Sequence, residues 1–292
     1  MRHMLAAMAV GAALMAGMPA VASAGSGGIS AVRERVESSM VVRGEVTIET
    51  DGSVSAIKLE KEEALPTALV DLVRNAALKW RFEPVLKDGV PVRGLAPMSL
   101  RVIARELDHG RYEVSLGGIN FNRVDSDGPE GIAIIDSIPP RYPQQAIVAG
   151  VSGSVYLVLK VGRDGKVEDA FAEQVNLTVL GREGELRRSR EMLAASARDC
   201  VRQWTFRIPT QGQVTAQRYW NVRVPVSYSL NKNAPEGRDV GRWVTYVPGP
   251  RERAPWLDAS EQLGFSPDAL ADGSVNLVDN NGPRLLTPLQ GS

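Results

Sequence analysis

Two stretches of the chain repeat one succession of apolar and polar positions. In the first, from about residue 40 to 104, apolar residues alternate between Val42 and Ile48 and again from 54 to 59, which predicts two strands. In the second, from about 140 to 230, two such runs fall between 153 and 171. A helical pattern and a further alternating run follow in both. The chain is therefore predicted to use one strand, turn, strand, helix, strand unit twice.

The turn between the first two strands is Asp-Gly in both stretches, at Asp51-Gly52 and Asp164-Gly165. Two-residue hairpin turns usually need positive φ angles at their central positions, which Asp tolerates and Gly adopts freely. An arbitrary surface turn could carry the same pair, but its recurrence in the same context favours a hairpin. We therefore expect Asp51, Gly52, Asp164 and Gly165 to be structural residues.

The helices give the clearest match between the two stretches. Apolar residues recur at helical spacing in both, and each has a counterpart 124 positions later. The pairs are Leu69 with Leu193, Val73 with Ala197, Ala76 with Cys200, Ala77 with Val201 and Trp80 with Trp204. Cys200, the only cysteine, therefore falls on the buried stripe, where we interpret it as a small core residue rather than a nucleophile.

A pair of aromatic residues follows each helix, Trp80 with Phe82 and Trp204 with Phe206. A proline interrupts regular structure shortly after each pair. We interpret the paired rings as structural, because they can fix the end of the helix to the sheet. A tryptophan used as a ligand platform is the alternative, but no cluster of polar residues accompanies either pair.

The last strand of the second unit has one apolar and one polar face. The apolar positions are Trp220, Val222, Val224, Val226, Tyr228 and Leu230, and the polar positions are Tyr219, Asn221, Arg223 and Ser227. We expect the first face to be buried and the second to face water. Pro225 cannot donate a ladder hydrogen bond, so this strand is predicted at a sheet edge with one side unpaired. Pro97 indicates similar edge behaviour in the first unit.

Composition narrows the classes of function. Of 292 residues, 43% are hydrophobic, which allows folded cores, and 34 Lys and Arg residues balance 34 Asp and Glu residues. Without a basic excess, the chain is not expected to bind nucleic acid. After Gly25 the only histidine is His109, so a His/Cys metal cage is not expected and a histidine-based triad would rest on His109 alone. We therefore expect no catalytic residues, no metal and no small-molecule cofactor, and an enzyme is the least favoured class.

The N-terminus has the features of a secretory signal. Arg2 precedes an apolar run from Met4 to Met18, and small residues end at Ala22-Ser23-Ala24, so cleavage is expected before Gly25. An uncleaved membrane anchor is the alternative, because the stretch is about long enough to span a bilayer. The Ala-x-Ala site favours cleavage.

An ordered series of motifs runs through the second stretch, from about residue 139 to 230. It consists of Tyr142-Pro143-x-x-Ala146, Gly150, a strand that begins at Gly153, Asp164-Gly165, Trp204-x-Phe206, Pro209 and a strand that ends near Leu230. This series resembles the TonB C-terminal domain family, and its order makes the resemblance specific. Residues 40–104 resemble a second, degenerate copy that lacks the Tyr-Pro motif.

The resemblance implies an α+β fold in which each unit packs a helix on a three-stranded antiparallel sheet, in the periplasm. It also implies a non-catalytic protein that binds an envelope protein or peptide, such as an outer-membrane receptor, by strand addition in TonB-dependent transport. An unpaired edge is a template for an incoming strand, which agrees with that mode. The candidate partner-binding residues are Tyr142, Pro143, Tyr219, Asn221, Arg223, Pro225 and Ser227.

A membrane-anchored TonB energy transducer is the second hypothesis. Such a protein has a functional histidine inside its anchor and a long Pro-rich spacer after it. Here His3 precedes the apolar run, and residues 25–39 could reach only about 50 Å when fully extended. These departures favour a periplasmic relative that kept the binding fold.

The sequence thus divides into six predicted segments. They are a signal peptide at 1–24, an N-terminal segment at 25–39, a degenerate TonB-like unit at 40–106, a linker that could add a strand at 107–138, a TonB-like unit at 139–231 and a Pro-rich tail at 232–292. The tail has weak periodicity, so it is expected to be irregular and extended or partly disordered.

Overall fold

The computed structural model describes residues 28–107, 111–121, 128–230, 241–257, 264–270, 273–278 and 282–289. The predicted signal segment and His109 lie outside these residues. The described helices are α1 (Ile29–Arg33), α2 (Thr67–Ala77), α3 (Gln144–Val148) and α4 (Glu183–Val201). The described strands are β1 (Glu37–Ile48), β2 (Val54–Leu59), β3 (Leu86–Lys87), β4 (Val90–Pro91), β5 (Gly94–Glu106), β6 (Tyr112–Asn120), β7 (Ala133–Asp136), β8 (Gly153–Gly162), β9 (Val167–Leu177), β10 (Thr205–Arg207), β11 (Tyr219–Tyr228), β12 (Val244–Tyr246) and β13 (Asn276–Leu277). Among the described helices, none has the length and apolar character that a bilayer-spanning segment requires.

The predicted α+β fold is confirmed. The first unit packs α2 on a sheet of order β12-β1-β5-β6 in which β2 also pairs with β1, and the second packs α4 on a sheet of order β13-β11-β8-β9. All of these pairings are antiparallel. Each unit contains the three predicted strands, but both sheets are wider. β6 and β12 extend the first sheet and β13 extends the second, and β12 and β13 come from the tail.

Helical spacing correctly identified the residues that join each helix to its sheet. All ten residues of the two predicted stripes, from Leu69 to Trp80 and from Leu193 to Trp204, are buried. The first stripe belongs to one apolar cluster with buried residues of β1, β2 and β5, and the second belongs to another with buried residues of β8, β9 and β11. Burial of apolar side chains in these clusters is therefore the main source of stability for each unit.

The Asp-Gly turns contact the residues that follow the helix, in the same way in both units. The Phe82 N–H donates to the Gly52 carbonyl at 2.8 Å, and the Phe206 N–H donates to the Gly165 carbonyl at 2.8 Å. Gly52 and Gly165 have φ angles of 80° and 76°. A Cβ added to them would lie 2.0 Å from the Phe82 oxygen and 2.2 Å from the Phe206 oxygen. Glycine is therefore required for its φ angle and for the close approach of the two backbones.

The aspartates of the two turns and the aromatic pairs after the helices make further contacts. The Asp51 carboxylate accepts the Ser53 N–H at 2.9 Å, and the Asp164 carboxylate accepts the Lys166 N–H at 3.1 Å. In the first unit, Trp80 and Phe82 meet the ring of Phe121 edge-on at centroid distances of 5.8 and 4.8 Å. In the second, the Trp204 Nε1–H donates to the Ile138 carbonyl at 3.0 Å, and the Trp204 and Phe206 ring centroids lie 6.5 Å apart.

The tail is irregular, as predicted, but its described residues pack closely against both units. β12 pairs with Glu37–Ser39 of β1, and Val247 exchanges backbone hydrogen bonds with Leu177 of β9 at 2.7 and 3.1 Å. Leu277 packs in the core of the second unit, whereas Leu285 and Leu289 pack in the core of the first. The described residues of the tail are therefore packed in place, because these side chains have apolar surface to bury.

The structure corrects the prediction that the last strand of each unit has one unpaired side. β11 lies between β8 and β13, and β5 lies between β1 and β6. β13 covers only Val222 and Arg223, whereas β6 covers β5 from Ser99 to Glu106. Pro97 precedes the part of β5 that β6 covers. Leu230 lies beyond the end of β11 and is 41% exposed, so its assignment to the buried face is also wrong.

Candidate partner-binding site

The predicted site centres on the side of β11 that faces away from β8, which we call the β11 edge (Tyr219–Tyr228). The Val278 N–H donates to the Asn221 carbonyl at 2.8 Å, so Asn221 directs its backbone groups away from β8. In an antiparallel strand the direction alternates, and Arg223, Pro225 and Ser227 therefore point the same way. The N–H that Pro225 lacks would lie on this outer side. Proline is thus accommodated without loss of a hydrogen bond to β8.

Arg223 forms a buried ion pair beneath the tail. Its guanidinium donates to both carboxylate oxygens of Glu173 on β9, at 2.7 and 2.9 Å, and both side chains are almost completely buried. The ring of Phe265 in the tail lies over the guanidinium, with its centroid 4.2 Å from Cζ. A two-point ion pair of this kind fixes the Arg223 side chain against β9 and leaves it little freedom to reach a partner.

Asn221 is also covered by the tail. The Trp256 Nε1–H donates to its side-chain oxygen at 3.1 Å, and the residue is only 6% exposed. Asn221 and Arg223 were both expected to face water, and the structure corrects this. Alternation along the strand separated polar from apolar positions, but it carried no information about the segment that covers the polar face.

The ends of the β11 edge are more accessible. Tyr219 is partly exposed, with the ammonium of Lys160 4.3 Å from its ring centroid. Ser227 is also partly exposed, and its hydroxyl lies 3.0 Å from the Ser154 hydroxyl on β8. The accessible side chains of the predicted set on this strand are therefore at its two ends, with a covered centre between them.

The structure brings the Tyr142-Pro143 motif next to the end of β11. The Tyr142 hydroxyl donates to the Val151 carbonyl at 2.6 Å, and its ring meets the Tyr228 ring edge-on at 5.3 Å. Pro143 is the residue that precedes α3. Burial raises the pKa of Tyr228 to about 12, so this phenol is neutral at physiological pH. Tyr142 and Pro143 are partly exposed and continue the surface from the Ser227 end of the edge.

Asp268 is a buried polar residue near the site that joins several others, and the sequence did not reveal it. Its carboxylate lies 3.3 Å from Arg101 Nη1 and accepts from Gln174 Nε2 at 3.3 Å and Asn176 Nδ2 at 3.1 Å. Arg101 also binds Glu37, at 2.6 Å. Asp268 therefore joins the tail to β5 of the first unit and β9 of the second.

The charged groups of this cluster neutralise one another, because Arg101 pairs with both Glu37 and Asp268. Burial alone would lower the pKa of Arg101, but the neighbouring Asp268, Tyr246 and Glu37 raise it overall. Burial also raises the pKa of Tyr246, whose hydroxyl accepts a hydrogen bond from Arg101. The guanidinium therefore stays charged and the phenol stays neutral at physiological pH, as expected of a structural network.

The described residues contain no group of three or more His, Cys, Asp and Glu side chains placed to hold a metal ion. Cys200 is buried, its thiol donates to the Ile138 carbonyl at 3.0 Å, and burial raises its pKa. A thiol with a raised pKa has little thiolate at neutral pH and is a poor nucleophile.

The chain is similar to Protein TonB from two strains of Xanthomonas campestris pv. campestris, one of them strain B100. The identity is 37% over 94 residues in both cases. The match covers 32% of this chain and 35% of each relative, so the chain spans about a third of the length of the curated relatives it matches. No family model and no solved structure matches. The similarity supports a TonB-like C-terminal domain within the chain, in agreement with the α+β fold.

Proposed function

We propose that this chain is a non-catalytic protein of the periplasm that binds an extended segment of another envelope protein at the β11 edge, in connection with TonB-dependent transport. The similarity to Protein TonB supports the class of function. The observation that supports the binding mode is that β13, which pairs with the outer side of β11, is very short. On its outer side, the described ladder consists of two residues of β13, whereas β8 pairs with all ten residues of the strand.

Strand addition suits this edge for a physical reason. The outward-facing backbone groups of alternate β11 residues form a row that an extended chain can pair with, apart from the N–H that Pro225 lacks. A partner longer than β13 would make more hydrogen bonds to this row than β13 does. Because β13 already pairs with this side of β11, the partner must displace or extend β13.

The second unit is the better candidate for binding. In the first unit, β6 covers β5 over eight residue pairs, and Leu116 and Ile119 of β6 are fully buried in the core. Removing β6 would expose this apolar surface to water, at about 1.5–3 kcal/mol for each large side chain. The corresponding cover of β11 places one leucine, Leu277, in the core of the second unit.

Export to the periplasm by cleavage before Gly25 is the second part of the proposal. It rests on the N-terminal sequence, and the membrane-anchored transducer remains the competing hypothesis. N-terminal sequencing of the protein from cells tests it. A mature chain that begins at Gly25 supports export, whereas an intact N-terminus in the membrane fraction after a carbonate wash supports the anchor.

A backbone substitution tests the binding mode. Ser227→Pro removes an N–H that points to the outer side of β11, whereas Ser227→Ala keeps this N–H and removes only the hydroxyl near Ser154. Proteins recovered from an envelope extract with the mature chain would supply peptides for fluorescence anisotropy. We expect Ser227→Pro to bind such a peptide at least tenfold more weakly than Ser227→Ala. Equal affinities, or failure of every extended peptide to bind, would reject strand addition at this edge.

A further inference from the structure

We propose that residues 273–278, which we call the latch, occupy the partner's place on β11 and must leave before a partner can bind. This inference rests on the proposed function and adds an internal competitor to it. A partner could then bind only after the latch has left β11. It also indicates the side-chain pattern that the β11 edge accepts.

The latch lies in the position of an added strand. Leu277 is opposite Val222 and Asn276 is opposite Arg223, in antiparallel register. The Val278 N–H extends the ladder to the Asn221 carbonyl at 2.8 Å. An incoming strand that pairs with the centre of β11 needs these same backbone groups, so the latch and the partner exclude each other.

The side chains of the latch use both faces of the sheet. Leu277 is 8% exposed and belongs to the apolar cluster of the second unit. Asn276 is 2% exposed on the opposite face, where its side-chain oxygen accepts from Asn120 Nδ2 at 3.0 Å and its Nδ2 donates to the Ser274 hydroxyl at 3.0 Å. The edge thus accepts an extended segment that has a branched aliphatic residue next to a residue with a small amide side chain.

The latch is short enough to exchange. Its ladder has two residue pairs, and the neighbouring strand β8 holds β11 in place without it. Opening of the segment removes Leu277 and Val275 from the second core and breaks the hydrogen bonds of Asn276, while the larger part of that core, between α4 and the sheet, stays packed. Asp268, before the latch, keeps its own contacts with Arg101 and Asn176 when the latch leaves.

A labelled synthetic peptide of residues 270–281 is the probe for the first test, since it carries the latch sequence in trans. Leu277→Asp in the full mature chain places a carboxylate in the apolar cluster and should release the latch. Leu286→Asp is the matched control, because Leu286 lies in the same tail but is 52% exposed. We expect the peptide to bind Leu277→Asp at least tenfold more tightly than the wild type or Leu286→Asp. A peptide carrying the same Leu277→Asp change should not bind.

A reversible lock tests the inference within one folded protein. Opposed residues in an antiparallel pair have Cα atoms about 4.5–5.5 Å apart, within the range that a disulfide spans. Val222→Cys with Leu277→Cys, in a Cys200→Ala background, can therefore be closed by oxidation and opened by reduction. We expect the oxidised form to bind the 270–281 peptide at least tenfold more weakly than the reduced form.

Two outcomes overturn the inference. In one, the peptide does not bind to the Leu277→Asp variant although circular dichroism and thermal melting show that it is folded, which would make the latch a permanent structural strand. In the other, the oxidised and reduced forms bind the peptide equally.

The result also separates this inference from the proposed function. If the latch peptide behaves as expected but no envelope peptide binds even to the reduced form, the partner class is wrong and the latch is not. If an envelope peptide binds the locked and unlocked forms equally, the latch does not control access, while the proposed function stands.

Discussion

At the scale of single residues, the two Asp-Gly turns depend on glycine for two separable reasons. Gly165 has a φ angle of 76°, which other residues rarely adopt, and a Cβ at this position would lie 2.2 Å from the Phe206 oxygen. Gly150 has a similar φ angle of 66°, but a Cβ there would meet nothing within 4 Å. The pair therefore separates conformational strain from steric collision.

We predict that Gly165→Ala lowers the free energy of unfolding by about 3 kcal/mol or more, because strain and collision combine. Gly150→Ala, which introduces strain alone, should lower it by only about 1 kcal/mol. Urea denaturation followed by circular dichroism measures both. Equal losses for the two variants would mean that the backbone contact with Phe206 relaxes without penalty.

At the scale of elements, periodicity predicted the parts of the fold that are locally encoded. The strand around Val46 and the helices around Val73 and Ala197 bury one regular face, and the alternating apolar residues around Val155 are likewise buried. The Asp-Gly turns likewise reflect a local requirement, which is the positive φ angle of the glycine. These features could be identified because each element carries its own signal.

The candidate site could be predicted only in part, since its cover comes from short and distant segments. β13 has two residues, which is too few for a period, and its partner Arg223 lies far away in the sequence. The burial of Arg223 depends on Glu173 and Phe265, and no spacing links the three. The strand and its proline were found from the sequence, but the segment that covers them could not be.

The ion pair between Arg223 and Glu173 couples β11 to β9 beneath the tail. We predict that Glu173→Gln lowers the free energy of unfolding by about 3 kcal/mol, because it removes the carboxylate that forms a two-point ion pair with a buried guanidinium. Replacement of both residues, with Glu173→Leu and Arg223→Met, should restore most of this loss, since both members of the buried ion pair are then replaced by apolar side chains. Urea denaturation of the single and double variants provides the comparison. A double variant that is less stable than Glu173→Gln would instead make the pair a net source of stability.

At the scale of the whole molecule, the chain crosses between the two units at both ends. Val32 of α1 is buried in the core of the second unit, although it precedes the first unit in the sequence. The tail contributes Leu277 to the second core and Leu285 to the first. These crossings tie the units together, and Asp268 provides their principal polar junction because it binds Arg101 on one side and Asn176 on the other.

This junction should make the two units unfold together. We predict that Asp268→Asn lowers the free energy of unfolding by about 3 kcal/mol, since Arg101 stays buried with Glu37 as its remaining countercharge. Asp268→Asn should also split or broaden the calorimetric unfolding transition, because the first and second cores would then unfold more independently. Asp199→Asn is the matched control: Asp199 has a side chain that is 78% exposed and pairs only loosely with Arg202, at 3.7 Å. We expect that variant to melt as the wild type does, within about 0.5 kcal/mol. If Asp268→Asn kept a single sharp transition at the wild-type temperature, the units would have to be coupled by apolar crossings such as Leu277 and Leu285 alone.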